Sequence, residues 1–169
     1  MPHRILVILC CAAVALITGC ADAPQIPTGL LYSPPQTGVP IATIKGSEEK
    51  SALLDNFTAF VVKVDGKRVT AGRKGWNTPI PIAAGHRFLT VEFNRGVYVA
   101  LADLDFEAVA GASYQLRYGT DVWAFGNSSY VDFWIADTAT SKAISAIKRV
   151  AVTQNGNAGA MPVVTPVVK

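Results

Sequence analysis

Thr58-Ala59-Phe60-Val61-Val62-Lys63-Val64-Asp65-Gly66-Lys67-Arg68-Val69 reads as a β-hairpin. From Thr58 to Val64 the chain alternates. Phe60, Val62 and Val64 fall on one face, with Ala59, Val61 and Lys63 on the other, the period of two expected of a strand half-buried in a sheet. Asp65-Gly66 supplies positive φ for a tight turn, and Lys67–Val69 carries the chain back.

The same pattern recurs on either side. Ile41–Ile44 is a short strand ending at Gly46, and Ser47–Asn56 is polar enough for a one-turn helix or an irregular loop. Ala71–Asn77, with Gly72, Gly75 and Trp76, is a loop. Thr78-Pro79-Ile80-Pro81-Ile82 fits only the edge of a sheet, because two prolines delete ladder donors. In His86–Asn94, Leu89, Val91 and Phe93 alternate with Thr90 and Glu92. Val97–Ala108 has a mixed phase: Ala102, Leu104, Phe106 and Ala108 oppose Asp103, Asp105 and Glu107, whose face is continued by apolar Val97, Val99 and Leu101. The pattern predicts a bulge or a partly covered edge near Leu101. Tyr114, Leu116 and Tyr118 point inward in the next strand, and Val131, Phe133 and Ile135 in the one after. Ala143–Thr153 is a last strand or a short helix. Seven to nine short strands with Gly-rich turns and no long helix predict an all-β fold, an antiparallel β-sandwich, over residues 41–153.

The N-terminal part is of a different kind. Arg4 precedes the thirteen-residue apolar run Ile5–Ile17, followed by Thr18-Gly19-Cys20. The run is shorter than the ~20 residues that span a bilayer and has the length of a signal-peptide h-region. Leu16-Ile17-Thr18-Gly19-Cys20 resembles the bacterial lipobox. The resemblance implies a lipoprotein signal peptide over residues 1–19, cleavage between Gly19 and Cys20, and membrane attachment through lipid (thioether-linked and N-linked acyl chains such as palmitate) on Cys20. Ala21, rather than Asp, follows that cysteine, which favours the outer membrane of the cell envelope. The alternative is an ordinary cleaved signal or a buried core helix. Cleavage would leave 169 − 19 = 150 residues, enough for one domain that buries ~68–70% of its unfolded-chain surface. Of the three cysteines, Cys10 and Cys11 would be removed and Cys20 acylated. No disulfide, thiol enzyme or cysteine-ligated metal is then expected. Residues 20–40, with Pro24, Pro27, Pro34, Pro35 and Pro40, predict an extended tether reaching about 60 Å at ~3.1 Å per residue. The alternative is that Gly29–Tyr32 packs along the domain's edge. Residues 154–169 predict a disordered tail. The net charge of +3, without a basic stripe, excludes a nucleic-acid footprint.

Val64-Asp65-Gly66-Lys67, then Thr78-Pro79-Ile80-Pro81-Ile82, then Ala84-Gly85-His86-Arg87-Phe88-Leu89-Thr90-Val91 resembles the PEGA-type, transthyretin-like β module. Ala110–Tyr114 and Trp134–Asp137 are similar to segments of small proteobacterial lipoproteins with that core. The resemblance spans residues 41–145, lacks the module's usual Pro-Glu-Gly-Ala tetrad, and carries a longer loop at Ala71–Asn77. It implies a β-sandwich with an accessory, non-enzymatic role.

Three groups of residues are candidates for chemistry. His86, which follows a turn glycine, would be the only histidine left after cleavage, whereas a metal site needs three or four ligands. Asp103, Asp105 and Glu107 lie on one strand face at ~6.6–6.8 Å intervals. Ca²⁺ binding or glycoside hydrolysis would use them; a solvated face paired with Arg117 or Lys63 is the simpler expectation. Trp76, Trp123, Phe125, Tyr130 and Trp134 either cap the sandwich or form a binding surface. The leading expectation is a membrane-anchored structural or protein-binding module without cofactor, whose partner is another envelope protein. A glycan- or peptidoglycan-binding module using the aromatics is the alternative, and a hydrolase using the carboxylates the third.

Overall fold

The computed structural model describes residues 27–52, 55–122 and 130–154. Eleven strands follow in order: β1 (Ile41–Lys45), β2 (Ser47–Glu49), β3 (Phe57–Val64), β4 (Lys67–Arg68), β5 (Ile80–Ala83), β6 (Gly85–Arg95), β7 (Tyr98–Ala108), β8 (Ser113–Thr120), β9 (Tyr130–Asp137), β10 (Lys148–Ala151) and β11 (Thr153–Gln154). They form two sheets ordered β10-β9-β8-β1-β5 and β11-β7-β6-β3-β2, with β4 attached to β3. The architecture is an all-β sandwich with mostly antiparallel sheets; the β1–β8 ladder is parallel.

The core forms between the inner faces. Ile44, Ile82, Leu116, Val131, Phe133 and Ile135 come from one sheet, and Val61, Val64, Leu89, Val91, Phe93 and Leu104 from the other, all nearly inaccessible to solvent. Each such side chain contributes on the order of 1.5–3 kcal/mol by leaving water. Phe93 packs against Tyr118 across the sheets, ring centroids 5.2 Å apart, and Phe106 against Tyr114 at 5.1 Å.

The deciding hairpin forms, with a change of phase. The β3–β6 register shifts between Val61 and Lys63, so a bulge at Val62 puts Ala59, Val61 and Val64 on the core face instead of Phe60, Val62 and Val64. In β7 the β6–β7 register runs unbroken from Tyr98 to Ala108, so there is no bulge near Leu101. The second expectation holds there, a partly covered edge, because β11 pairs with β7 only at Tyr98 and Val99. Leu101 is exposed. Val99 is buried, and Thr153 of β11 lies opposite it. A strand's own alternation cannot report an extra residue, because a bulge is defined against the partner strand.

Two further expectations change. Ser47–Asn56 contains β2, paired with β3 from Ser47↔Ala59 to Glu49↔Phe57, so it is part strand; its side chains are polar because β2 closes a sheet edge. Within the proline-rich stretch, Gly29–Tyr32 packs on the domain rather than standing free as tether. Leu31 bridges Arg68, the Tyr32 N–H donates to the Arg68 carbonyl at 2.8 Å, and the Tyr32 hydroxyl donates to the Pro81 carbonyl at 2.7 Å. β5 closes its sheet as the prolines predict, and Tyr32 covers part of that edge.

The chain passes between the sheets at several points, through a single residue at Gly46, Ala84 and Val152. Val152 separates β10, on β9, from β11, on β7. Gly46 separates β1, on β5 and β8, from β2, on β3. At Gly46 the backbone N–H donates to the Trp76 carbonyl at 2.7 Å, and a Cβ would collide with the Ala59 carbonyl oxygen. Gly46→Ala is therefore expected to destabilise the fold by about 1–3 kcal/mol, the cost of overpacking against fixed backbone. A urea midpoint equal to wild type would show that the crossing accommodates a side chain.

Candidate functional site

The crossing at Gly46 leaves an opening. β1 covers β8 only from Ser113 to Gln115; the chain then bends into the other sheet as β2, while β8 continues along β9 to Thr120. Among the described strands, none covers that edge of β8 beyond Gln115. The gap between β2 and the far half of β8 is a cleft of about 220 Å³, lined by Ser47, Glu48, Glu49, Arg117, Tyr118 and Trp134.

Strand geometry assigns each wall. Ser47 and Glu49 lie opposite Ala59 and Phe57, on the side of β2 that faces between the sheets. Glu48 points the other way, and its carboxylate accepts the Thr58 hydroxyl at 3.2 Å. Arg117 and Trp134 are register partners on the outer face of β8 and β9. The indole rests over Gly119, where a Cβ would stand 3.7 Å from Cζ3 and 4.0 Å from Cη2. Arg117 donates to Gln115 Oε1 at 3.3 Å, and Gln115 donates to the Gly46 carbonyl at 3.2 Å. This chain of bonds ties the guanidinium to the crossing itself.

Tyr118 forms the floor. Its hydroxyl donates to the Phe57 carbonyl at 3.2 Å and accepts the Glu49 backbone N–H. Burial first, then the Glu49 and Glu48 charges, push the phenol well above its ordinary value, so it stays a neutral donor. Ser47 is 8% exposed, and its buried hydroxyl has no protein partner among the described residues.

The structure separates the aromatic residues singled out in sequence. Trp134 lines the cleft. Tyr130 is covered on one face by the Arg149 guanidinium, 3.8 Å from its ring centroid. Trp76 is half-buried, its carbonyl engaged by Gly46. Trp123 and Phe125, like Gly19 and Cys20, lie outside the described residues. The carboxylate row has other partners than Arg117 or Lys63. Asp103 accepts the Thr90 hydroxyl at 2.7 Å, and Asp105 and Glu107 each stand 3.8 Å from His86, because β7 lies beside β6 while Arg117 belongs to the other sheet. Among the described residues, no three His, Cys, Asp or Glu side chains converge as metal ligands.

Elsewhere, Arg95 is a buried cation, 3.9 Å over the Phe57 ring and bonded to the Val122 carbonyl at 2.9 Å. Arg149 grips Asp132 with two bonds of 2.8 and 2.7 Å. No family model matches this chain, and no significant match was found among curated proteins or solved structures.

Two predictions follow from these contacts. Tyr118→Phe strands the Phe57 carbonyl and the Glu49 N–H and is expected to cost about 1–2 kcal/mol, read as a lower urea midpoint; an unchanged midpoint would mean that water replaces the phenol at no cost. The Arg149 hydrogen bonds hold the Asp132 carboxyl below its ordinary value. Its stabilising contribution is thus complete above the unfolded value of ~3.9 and is lost as pH falls through the lower folded value. Asp132→Asn should remove that part of the acid lability in a pH series of thermal melts, whereas parallel wild-type and variant curves would place the acid sensitivity elsewhere.

Proposed function

We propose that this chain is a non-enzymatic binding module of a bacterial envelope, held on the membrane, on the outer-membrane side, by acyl chains on Cys20. The cleft beside Gly46 is its recognition surface. The carrying observation is that the split between the sheets collects an indole face, a guanidinium, two carboxylates and an unpartnered hydroxyl in one opening. His86 stands apart from that opening, on the outer face of β6 beside Asp105 and Glu107, away from any pairing with Ser47. This placement supports binding over hydrolysis, which needs nucleophile, base and orienter within reach of one another.

The anchor has separate support in the order of Arg4, the apolar run Ile5–Ile17 and Gly19-Cys20. The PEGA-like pattern supports an accessory role as well. Its three segments correspond to the turn at Asp65-Gly66, the edge strand β5 and the long strand β6. The partner is either another envelope protein, met at a sheet edge, or a glycan. Trp134 is the observation that favours the glycan.

The mass of the full-length gene product purified from membranes tests the anchor. The expected mass is that of residues 20–169 plus acyl chains, and Cys20→Ser should lose both the acyl mass and the membrane fractionation. An unacylated wild-type mass would overturn the attachment.

A further inference from the structure

We propose that the cleft between β2 and β8 is a subsite for one neutral pyranose ring of a glycan, with the Trp134 indole as its platform. The inference rests on the reading of the chain as a binding module and deepens it by naming the ligand class. Its starting point is the seat of the indole. β8 has no side chain at Gly119, and the six-membered ring of Trp134 lies over that position. The ring edge at Cζ3 and Cη2 is thereby seated on the strand, and the indole also lines the cleft, where a ligand can pack on it. The C–H face of a pyranose is a flat apolar patch that packs on such a ring, while its hydroxyl edge needs polar partners.

Those partners are present in both senses. Arg117 only donates and the carboxylates of Glu48 and Glu49 only accept, whereas each sugar hydroxyl does both. Neighbouring hydroxyls can therefore run from guanidinium to carboxylate with no group left over. Glu48 already accepts one bond from Thr58. Glu49 makes no ion pair with Arg117 among the described residues, which leaves its carboxylate open to a hydroxyl. The Ser47 hydroxyl, buried without a protein partner, supplies a further donor and acceptor in the wall. An unmet buried hydroxyl is destabilising, and a ligand that satisfies it recovers part of that loss.

Preorganisation and charge narrow the class. Arg117 is held by Gln115, which is tied to the Gly46 carbonyl, so binding immobilises little that was free. Two carboxylates against one guanidinium disfavour uronic or sulfated sugars. At about 220 Å³ the cleft is smaller than the ~300–1,000 Å³ of pockets that enclose drug-sized ligands. It fits one ring, with neighbouring rings lying outside. An extended peptide added along the uncovered edge of β8 is the competing occupant; it would use backbone groups and need neither the indole nor Glu49.

The test is an NMR titration of the full-length protein in detergent, following the tryptophan indole N–H signals, with tri-N-acetylchitotriose, cellotriose and maltotriose as probes and a Gly-Val-Thr-Val-Gly peptide beside them. At least one trisaccharide should shift the Trp134 signal with an affinity in the millimolar range. Glu49→Gln should weaken binding about tenfold or more, roughly the loss of one good polar contact. Gly119→Val fills the indole's seat without removing a polar group and should abolish the response while the β6–β7 amide signals keep their dispersion. No shift with any trisaccharide up to ~20 mM, well above the range of weak specific binding, would overturn the proposal. So would sugar binding unaffected by Gly119→Val and Glu49→Gln, or a response to the pentapeptide alone. A Cys20→Ser protein that leaves the membrane yet still binds sugar separates the anchor from the cleft. If wild type is acylated and membrane-bound but binds none of the sugars, the cleft assignment alone fails.

Discussion

At Gly46 the backbone passes so close to the carbonyls of Ala59 and Trp76 that no side chain fits, and this close approach lets one segment serve two sheets. Ile41–Lys45 completes one ladder and Ser47–Glu49 begins the other. A sandwich needs its sheets held face to face, and the apolar core supplies the free energy for that without fixing the relative placement. The covalent crossings, among them the single-residue ones at Gly46, Ala84 and Val152, fix it. The first crossing also uncovers β8 and so creates the cleft. A structural requirement and a candidate binding surface thus share one cause.

The buried polar groups follow from the same arrangement. Where β2 leaves the first sheet, Glu49 and Phe57 present backbone groups toward the gap, and the Tyr118 hydroxyl meets both. Where β6 ends, Arg95 turns inward, lies over the Phe57 ring and bonds to the Val122 carbonyl. Buried polar atoms require partners, and here long side chains reach across the sheet boundary to supply them. Among the described residues Ser47 Oγ, Arg87 Nε and Asn94 Oδ1 go without a partner, and of these three Ser47 lines the cleft.

The strands were legible wherever one face was apolar and the other polar. The inward sets of β6, β8 and β9 read directly from alternation, and the prolines of β5 marked it as an edge. Alternation failed in β3, because Val61 and Val62 are both valine and the chain alone does not reveal which of them is the extra residue. In β7 the mixed phase around Leu101 marked no fault in the β6–β7 ladder but an edge that β11 covers only at Tyr98 and Val99. The site was legible in one residue, Trp134. Ser47, Glu49 and Arg117 carry no local signal, since they are ordinary polar residues on strands or turns. They meet only because Gly46 bends the chain; a glycine directly after a short strand was the one available cue.

By itself the sequence determined the fold class, most strand positions, the hairpin at Asp65-Gly66 and the edge character of Ile80–Ala83. Side-chain alternation, turn chemistry and proline geometry act over a few residues and so are written locally. The tertiary structure alone decided which strands share a sheet, where β3 changes phase, that Tyr32 docks on the Pro81 carbonyl, and that β1 and β2 part company beside β8. Each of these depends on pairings between residues distant in the chain, chosen by how two sheets bury their apolar faces together. The cleft is a product of those pairings, which is why its residues become neighbours only in the folded molecule.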